Sequence, residues 1–435
     1  MQSACVDLRS AVPSADALKP IFRKIWTRVV LFLLVSYSLA IVDRINVGFA
    51  ALTMNADLSF PPLVFGAAAG MFFLGYFAFE IPSIWHLRRI GARRWIARIL
   101  VTWGIVTIAI AYVRTATQFY VLRFLLGAAE AGLYPGVIYF LTLWFPPNYR
   151  ARVMAGFVVG GPLAMVVGAP LSATILGMDG LAGLKGWQWL FWIDGTLTIL
   201  WGVVALWWLD DGPATARWLT AEERQWLMPA AVAHTAQHVR DKRREMMHLL
   251  ADAQIWRLIC IHFGIVAGLY GVVFWLPQVV KAFGLTNLQT GFAVAVPYAL
   301  GAVAMFSIGI HSDRSSERVW HIAGPLLAAS AAFVATRFLH DSRLLMLVFS
   351  IATMGMVTTQ ALFWTLATSA LSRDTAPTGI AFINSLSNLA GFLAPYMLGW
   401  FKTRTGNVMD GYLVLALFAL SSAALALTFR KRPPS

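Results

Sequence analysis

The sequence predicts an all-α membrane protein, with twelve transmembrane helices in two six-helix halves related by pseudo-symmetry. Three observations predict it. Of the 435 residues, 59% are hydrophobic and 12% are charged, whereas a soluble domain carries roughly 25% charged residues. Apolar runs near the length that crosses a bilayer, about 20 residues, recur twelve times along the chain. A single long polar connection, after the sixth run, divides them six and six.

The runs cover residues 25–49, 63–87, 95–113, 119–144, 153–176, 187–209, 255–281, 291–310, 320–338, 344–369, 378–401 and 411–429. This gives an N-terminal tail (1–24), a first bundle (25–209), a linker (210–254), a second bundle (255–430) and a short C-terminal tail (431–435). Alternate connections differ in charge. The set that holds both tails and the linker carries 25 Lys and Arg, and the opposite set carries 7. Basic loops stay cytoplasmic, so both termini and the linker are expected inside. Residues 1–20 lack the apolar core of a secretory signal, and the first span is expected to direct insertion itself. The net charge of +14 is then a topology signal and implies no nucleic acid. The cluster Arg240–Arg244 reads as a solvated linker.

Chemistry-bearing motifs of enzymes are absent. There is no HExxH, no GxSxG and no phosphate-binding Gly-rich Lys loop, so the chain is not expected to be an enzyme or to need a cofactor. The cysteines Cys5 and Cys260 form no CxxC pair and no disulfide framework, and Cys260 reads as buried. His234 and His238 are spaced for one helical face but have no carboxylate partners, and with His248 they define no metal site.

The halves carry weak internal symmetry. A short basic link follows the second run of each half: Arg88-Arg-Ile-Gly91-Ala-Arg-Arg94, then His311-Ser-Asp313-Arg314-Ser-Ser-Glu317-Arg318. The fifth run of each half carries an Ala-Pro pair near glycine, at Gly168-Ala-Pro170 and Gly391-Phe-Leu-Ala-Pro395. Repeats of this kind build transporters whose halves rock about a central site.

Polar residues inside apolar runs mark that site, because charge at membrane depth is costly and usually faces a pathway. Asp43 and Arg44 interrupt the first run. Either the helix ends near Ile41 and the pair is interfacial, or both act at depth. Being consecutive, they leave a helix about 100° apart and do not serve only each other. Arg44 keeps its charge and needs an anion, for which its fork fits a carboxylate. Glu130 has small or apolar flanks and lies mid-span, where a carboxyl that is costly to keep charged suits proton coupling. Arg123, seven residues earlier, is on the same face but about 10 Å away along the axis. Arg44 and Arg123 are the two basic residues that no connection claims. Glu80, before Pro82, and Asp194 read as helix-end residues. The second half offers hydroxyls, amides and rings in place of charge: Thr358, Thr359 and Gln360, then Asn384, Ser385 and Asn388. Trp364 and Tyr76 are placed to cover an apolar part of a substrate.

These motifs resemble the major facilitator superfamily, and within it the anion:cation symporters. The resemblance spans nearly the whole chain. Asp43-Arg44-Ile-Asn46-Val-Gly48, Glu80-Ile-Pro82-Ser83, Arg123-Phe-Leu-Leu-Gly-Ala-Ala-Glu130, Gly186-Trp-Gln-Trp-Leu-Phe191 and Asn384-Ser-Leu-Ser-Asn388 carry it. The wording is most similar to bacterial tartrate-type and 4-hydroxyphenylacetate-type permeases. The resemblance implies the major facilitator fold in a bacterial inner membrane. It implies proton-driven uptake of a small organic anion (a sugar acid, dicarboxylate or aromatic acid) by alternating access. The proton gradient is the energy source, and the lipid bilayer and the substrate are the expected partners of a monomer. It puts proton carriers at Asp43 and Glu130, the substrate carboxylate on Arg44, Arg123 linked to Glu130 and at the substrate, and further substrate contacts at Tyr76, Trp364, Asn384 and Asn388. The alternative on the same fold is a proton antiporter that exports drugs or metabolites. The link after the second run lacks the superfamily's Asp after its first glycine, which leaves its arginines to act alone.

Overall fold

The computed structural model describes residues 15–158, 160–224, 226–227, 250–371 and 376–429. Expectations about the outer tails, Cys5, the linker histidines His234, His238 and His248, and Arg240–Arg244 lie outside the described residues.

The described residues form helices and loops without a strand. The helices are α1 (Ala15–Ile25), α2 (Leu31–Asp57), α3 (Pro62–Ile90), α4 (Ala92–Ile110), α5 (Ala116–Glu130), α6 (Leu133–Trp144), α7 (Pro147–Val158), α8 (Gly160–Leu176) and α9 (Gly186–Trp208). Beyond the linker come α10 (Ala253–Lys281), α11 (Asn287–Ser315), α12 (Val319–Ala335), α13 (Ser342–Ala370), α14 (Ala376–Asn388), α15 (Ala390–Thr405) and α16 (Met409–Leu427). A π-helical turn, Trp26–Val30, joins α1 to α2. Eight helical stretches are long and apolar enough to cross a membrane, and α8 and α12 are shorter apolar helices. The other two expected spans are α4, which opens on Arg93, Arg94 and Arg98, and the pair α14–α15. All twelve apolar runs therefore fall on helix.

Helix pairing repeats across the two halves. Written by span, one packs on five (α2 on α8), two on four (α3 on α5) and three on six (α4 on α9). In the second half seven packs on eleven (α10 on α15), eight on ten (α11 on α13) and nine on twelve (α12 on α16). The halves meet through α3 with α15, α8 with α11, and α2 with α10.

The contact of spans two and eleven is an antiparallel ladder. From the linker side it runs Glu80 to Asn384 and Ser385, then Phe73 against Gly391, Gly70 against Phe392, and Gly66 against Pro395. It ends with Gly399 against Pro62 and Leu63 and the Leu63 N–H donating to Thr403 Oγ1 at 3.1 Å. Its far end is backbone on backbone: a Cβ on Gly66 would overlap the Pro395 carbonyl oxygen. Spans five and eight repeat the motif, with Gly291 against Ala169, Pro170 and Ala173. Both Ala-Pro pairs noticed in the sequence thus serve close approach of the halves on the side away from the linker. Small residues allow such approach in a lipid environment, where packing drives association.

One open alternative closes and two sequence expectations change. The first span does not stop at Ile41, because α2 continues through Asp43 and Arg44 to Asp57. The fourth span is not one helix. It breaks after Glu130, where Ala131 leaves helical geometry and Gly132 adopts φ 86°; Pro135 then stands in the first turn of α6. Cys260 is exposed, not buried, since α10 turns its Ile255, Leu258, Ile259, Ile261 and His262 face inward. In the link after span two, the Arg93 N–H donates to Asp211 Oδ1 at 2.9 Å. An acid just past α9 thus caps α4.

Candidate functional site

Where the halves meet, a cavity of about 110 Å³ opens between them. Arg44 enters from α2. Phe72, Phe73 and Tyr76 line it from α3, Tyr37 from α2, Tyr134 from α6 and Tyr270 from α10. Gln360 and Trp364 of α13 and Asn384 and Asn388 of α14 complete the wall. The wall therefore holds one cation, four phenols, three amides and three apolar rings. That mixture suits a small oxygen-rich anion: a guanidinium fork for a carboxylate, hydroxyls and amides that donate or accept, and rings that exclude water.

Arg44 is the centre of this arrangement. Its Nη1 donates to the Tyr270 hydroxyl at 2.8 Å, across the two halves. Its Nη2 pairs with Glu130 Oε1. The guanidinium carbon lies 5.1 Å from the Phe72 ring centre and 5.8 Å from that of Tyr76. Glu130 is buried, and its Oε2 has no hydrogen-bond partner among the described residues. The helix break at Ala131–Gly132 puts this carboxylate at the end of α5, next to the cavity wall. Arg44 Nε is likewise without a partner. The ion pair is therefore half-satisfied on both sides, which suits a pair that exchanges partners.

Asp43 faces the other way, as the 100° step requires. It is fully buried, accepts from Thr107 Oγ1 of α4 at 3.1 Å, and neighbours the buried Asp194 on α9. Its Oδ2 and Asp194 Oδ2 have no donor among the described residues. One turn on, Asn46 Oδ1 accepts from Ser172 Oγ of α8 at 2.6 Å. Asp43 thus belongs to a polar cluster inside the first half, behind the cavity.

Arg123 departs from expectation. It is fully buried and does not line the cavity. Its partners are the backbone oxygens of Ala68 and Ala69 on α3, each at 3.4 Å, not the Glu130 carboxylate, which Arg44 takes. The reason is the axial distance between positions 123 and 130, with the helix ending at 130. Arg123 instead shares the Phe72 ring with Arg44, again at 5.1 Å from its centre.

Of the residues singled out in the sequence, Arg44, Tyr76, Trp364, Asn384 and Asn388 meet at one cavity. Glu130 joins through Arg44, and Asp43 and Arg123 stand behind the wall. Gln360, one of the amides the second half offers, joins them there; sequence reading missed Tyr37, Tyr134 and Tyr270 at the cavity, Asp194 against Asp43, and the true setting of Glu80. Glu80 does not end a helix; it bonds across the halves. It also missed His262, buried and stacked on Phe363 at 4.6 Å beside Trp364. A carboxylate deep in an apolar run is a signal for Glu80 and Asp194; tyrosines in such runs carry none.

A family model described as Major Facilitator Superfamily matches residues 33–395. The chain belongs to that superfamily and is a multi-pass membrane transporter. A relative from Agrobacterium vitis named "Putative tartrate transporter" is 44% identical over 97% of this chain and 94% of its own length. A relative from Acinetobacter baumannii named "Quinolone resistance transporter" is 36% identical over 93% and 94%. Among solved structures, a bacterial homologue of the human lysosomal transporter Spinster matches with a TM-score of 0.76 at 16% identity, covering 92% of this chain and 96% of that one. The last of these speaks for the fold alone.

Proposed function

We propose that this chain is a proton-coupled symporter that carries a small organic anion into the bacterial cytoplasm by alternating access. The observation that carries the reading is Arg44: a guanidinium at the cavity wall, held by a buried carboxylate that has one oxygen unmet. An incoming carboxylate competes with Glu130 for the guanidinium fork. A released Glu130 would be an unpaired buried charge, which costs several kcal/mol, so it takes a proton. Substrate and proton then load together, and the net charge at the site is conserved. On release of the substrate inside, Glu130 gives up its proton and returns to Arg44. Asp43, with Asp194 beside it, is the second proton position. Four phenols and three amides favour a hydroxylated acid, such as a sugar acid or hydroxy-dicarboxylate, over a plain aromatic one.

Proteoliposomes with the linker side facing the lumen, an imposed inward proton gradient and labelled L-tartrate or D-gluconate test this. Accumulation above the external level is expected in the wild type. In Glu130→Gln, exchange is expected to persist while gradient-driven accumulation is lost. Accumulation by that variant would sink the proton role of Glu130. The relative named for quinolone resistance favours a second reading, export by antiport; a gradient that drives the acid out of the lumen in the same vesicles would establish it.

A further inference from the structure

Among the described residues, Glu80 is the one buried carboxylate near the cavity to which the transport scheme gives no task. It is 4% exposed and, among the described residues, has no cation partner in its bonds. Its oxygens take two donors from the other half of the molecule: Asn384 Nδ2 at 3.1 Å on Oε1 and Ser385 Oγ at 2.7 Å on Oε2. Both donors are on α14, so one side chain joins spans two and eleven. The ladder places this join at the linker-side end of the cavity. One turn further in, Tyr76 on α3 and Asn388 on α14 both line the cavity, and so does Asn384 itself. The residue that receives substrate is thus the residue that closes on Glu80.

An asparagine amide has two N–H donors and one carbonyl acceptor in a plane. With one N–H fixed on Glu80, the plane is fixed, and the second N–H and the carbonyl meet the cavity in one orientation. A substrate hydroxyl that donates to the Asn384 carbonyl makes the N–H on Glu80 a better donor, and chained hydrogen bonds strengthen one another in a dry site. Occupancy and joining of the halves then favour each other reciprocally.

We propose that Glu80 is a positioning residue that orients Asn384 toward the bound anion and ties occupancy of the cavity to closure of the linker-side end. The ligand it serves is an acid with a hydroxyl that donates to the Asn384 carbonyl while its carboxylate is on Arg44. That part rests on the symport reading; the join between the halves does not.

The full-length protein in lipid nanodiscs, with spin labels at Arg89→Cys and Ser315→Cys on a Cys5→Ser, Cys260→Ser background, reports the linker-side separation. The label sites are exposed, one in each half. In the wild type, L-tartrate or D-gluconate is expected to enrich the short distance. Glu80→Gln replaces one acceptor by a donor, so without any acid present the long-distance population is expected to rise several-fold. The acid no longer restores the short one, and KM for uptake rises about tenfold while the maximal rate stays within about twofold. Glu80→Asp, which keeps both acceptors, is expected to recover part of each effect. Should Glu80→Gln fail to fold, Ser385→Ala removes one donor only and is expected to give a smaller shift in the same direction. An unchanged distance distribution in either variant without acid overturns the proposal, as does a KM change with no distance change. A shift in separation in a protein that moves no acid at all would leave the join standing and sink the symport reading.

Discussion

The two ends of the cavity are closed by different physics. Away from the linker, the halves meet backbone to backbone: Gly66 on Pro395, Gly70 on Phe392, Gly399 on Pro62, and Gly291 on Ala169 and Pro170. On the linker side, among the described residues, spans two and eleven are hydrogen-bonded through one carboxylate and its two donors. A hydrogen bond contributes about 0.5–1.5 kcal/mol net, so two of them stabilise the join by a few kcal/mol at most. Close packing along several helical turns adds many weak contacts that are lost together. The linker end is therefore the easier one to open and close, and a ligand can bias it with differential affinity on a matching scale. The packed end needs a rearrangement of whole helices.

The largest expected effect comes from wedging the packed end. In Gly66→Ala the new Cβ would overlap the Pro395 carbonyl oxygen, a backbone atom that yields only if the helix moves. Uptake is expected to fall more than tenfold, and labels at Arg114→Cys and Arg343→Cys, exposed on that side, are expected to move apart. Full uptake with unchanged separation would break the comparison. Gly291→Ala tests its symmetric copy. The new Cβ would overlap the Ala173 methyl and stand 2.8 Å from the Ala169 carbonyl oxygen, an overlap of the same severity. A loss of similar size is expected.

Arg123 sharpens the same contrast from behind. It donates to the backbone oxygens of Ala68 and Ala69, which lie in sequence between Gly66 and Gly70, the residues that meet span eleven. Arg123→Met removes two long hydrogen bonds, and a stability loss of about 1–2 kcal/mol is expected, read as a lower thermal midpoint. KM is expected within about twofold of wild type. A tenfold rise in KM would return Arg123 to the substrate and remove it from the scaffold.

Much of this was legible in the sequence, and the illegible part has a physical pattern. Hydropathy and one polar linker suffice for twelve spans in two halves, because lipid demands helices with internally satisfied backbones. Arg44 is legible because a charge at depth needs a reason. The facing of Asp43 is legible only as a 100° offset from Arg44; that it looks at Thr107 and Asp194 depends on how α4 and α9 pack. The break after Glu130 is written in Gly132 and Pro135, yet both residue types are common in membrane helices and the break stays hidden. Tyr270 and Gln360 look like any interhelical packing residue until the halves are assembled. Glu80 misled because Pro82 and the nearby basic link suggest a helix end, while its partners stand 304 and 305 residues away.

The smallest expected effect lies outside the membrane and bounds what an ordinary surface pair contributes. Lys24 Nζ donates to Glu223 Oε1 at 2.7 Å, tying α1 to the start of the linker. Burial raises the Glu223 carboxyl, but the bonds from Lys24 and from Thr220 outweigh it and hold the carboxyl below its ordinary range. A depressed carboxyl contributes its stability above the unfolded value of about 4.3 and loses it as pH falls through the folded value. Lys24 is 46% exposed, so water screens the pair, and Glu223→Gln is expected to cost no more than about 1 kcal/mol. Thermal midpoints of wild type and variant are expected to differ slightly at pH 7 and to converge as the solution is acidified below the folded value. They are also expected to converge at high salt, where the Glu80 join, being buried, should keep its effect. A Glu223→Gln loss as large as that of Glu80→Gln would mean that exposed and buried joins are worth the same, and the contrast between the two ends would lose its energetic basis.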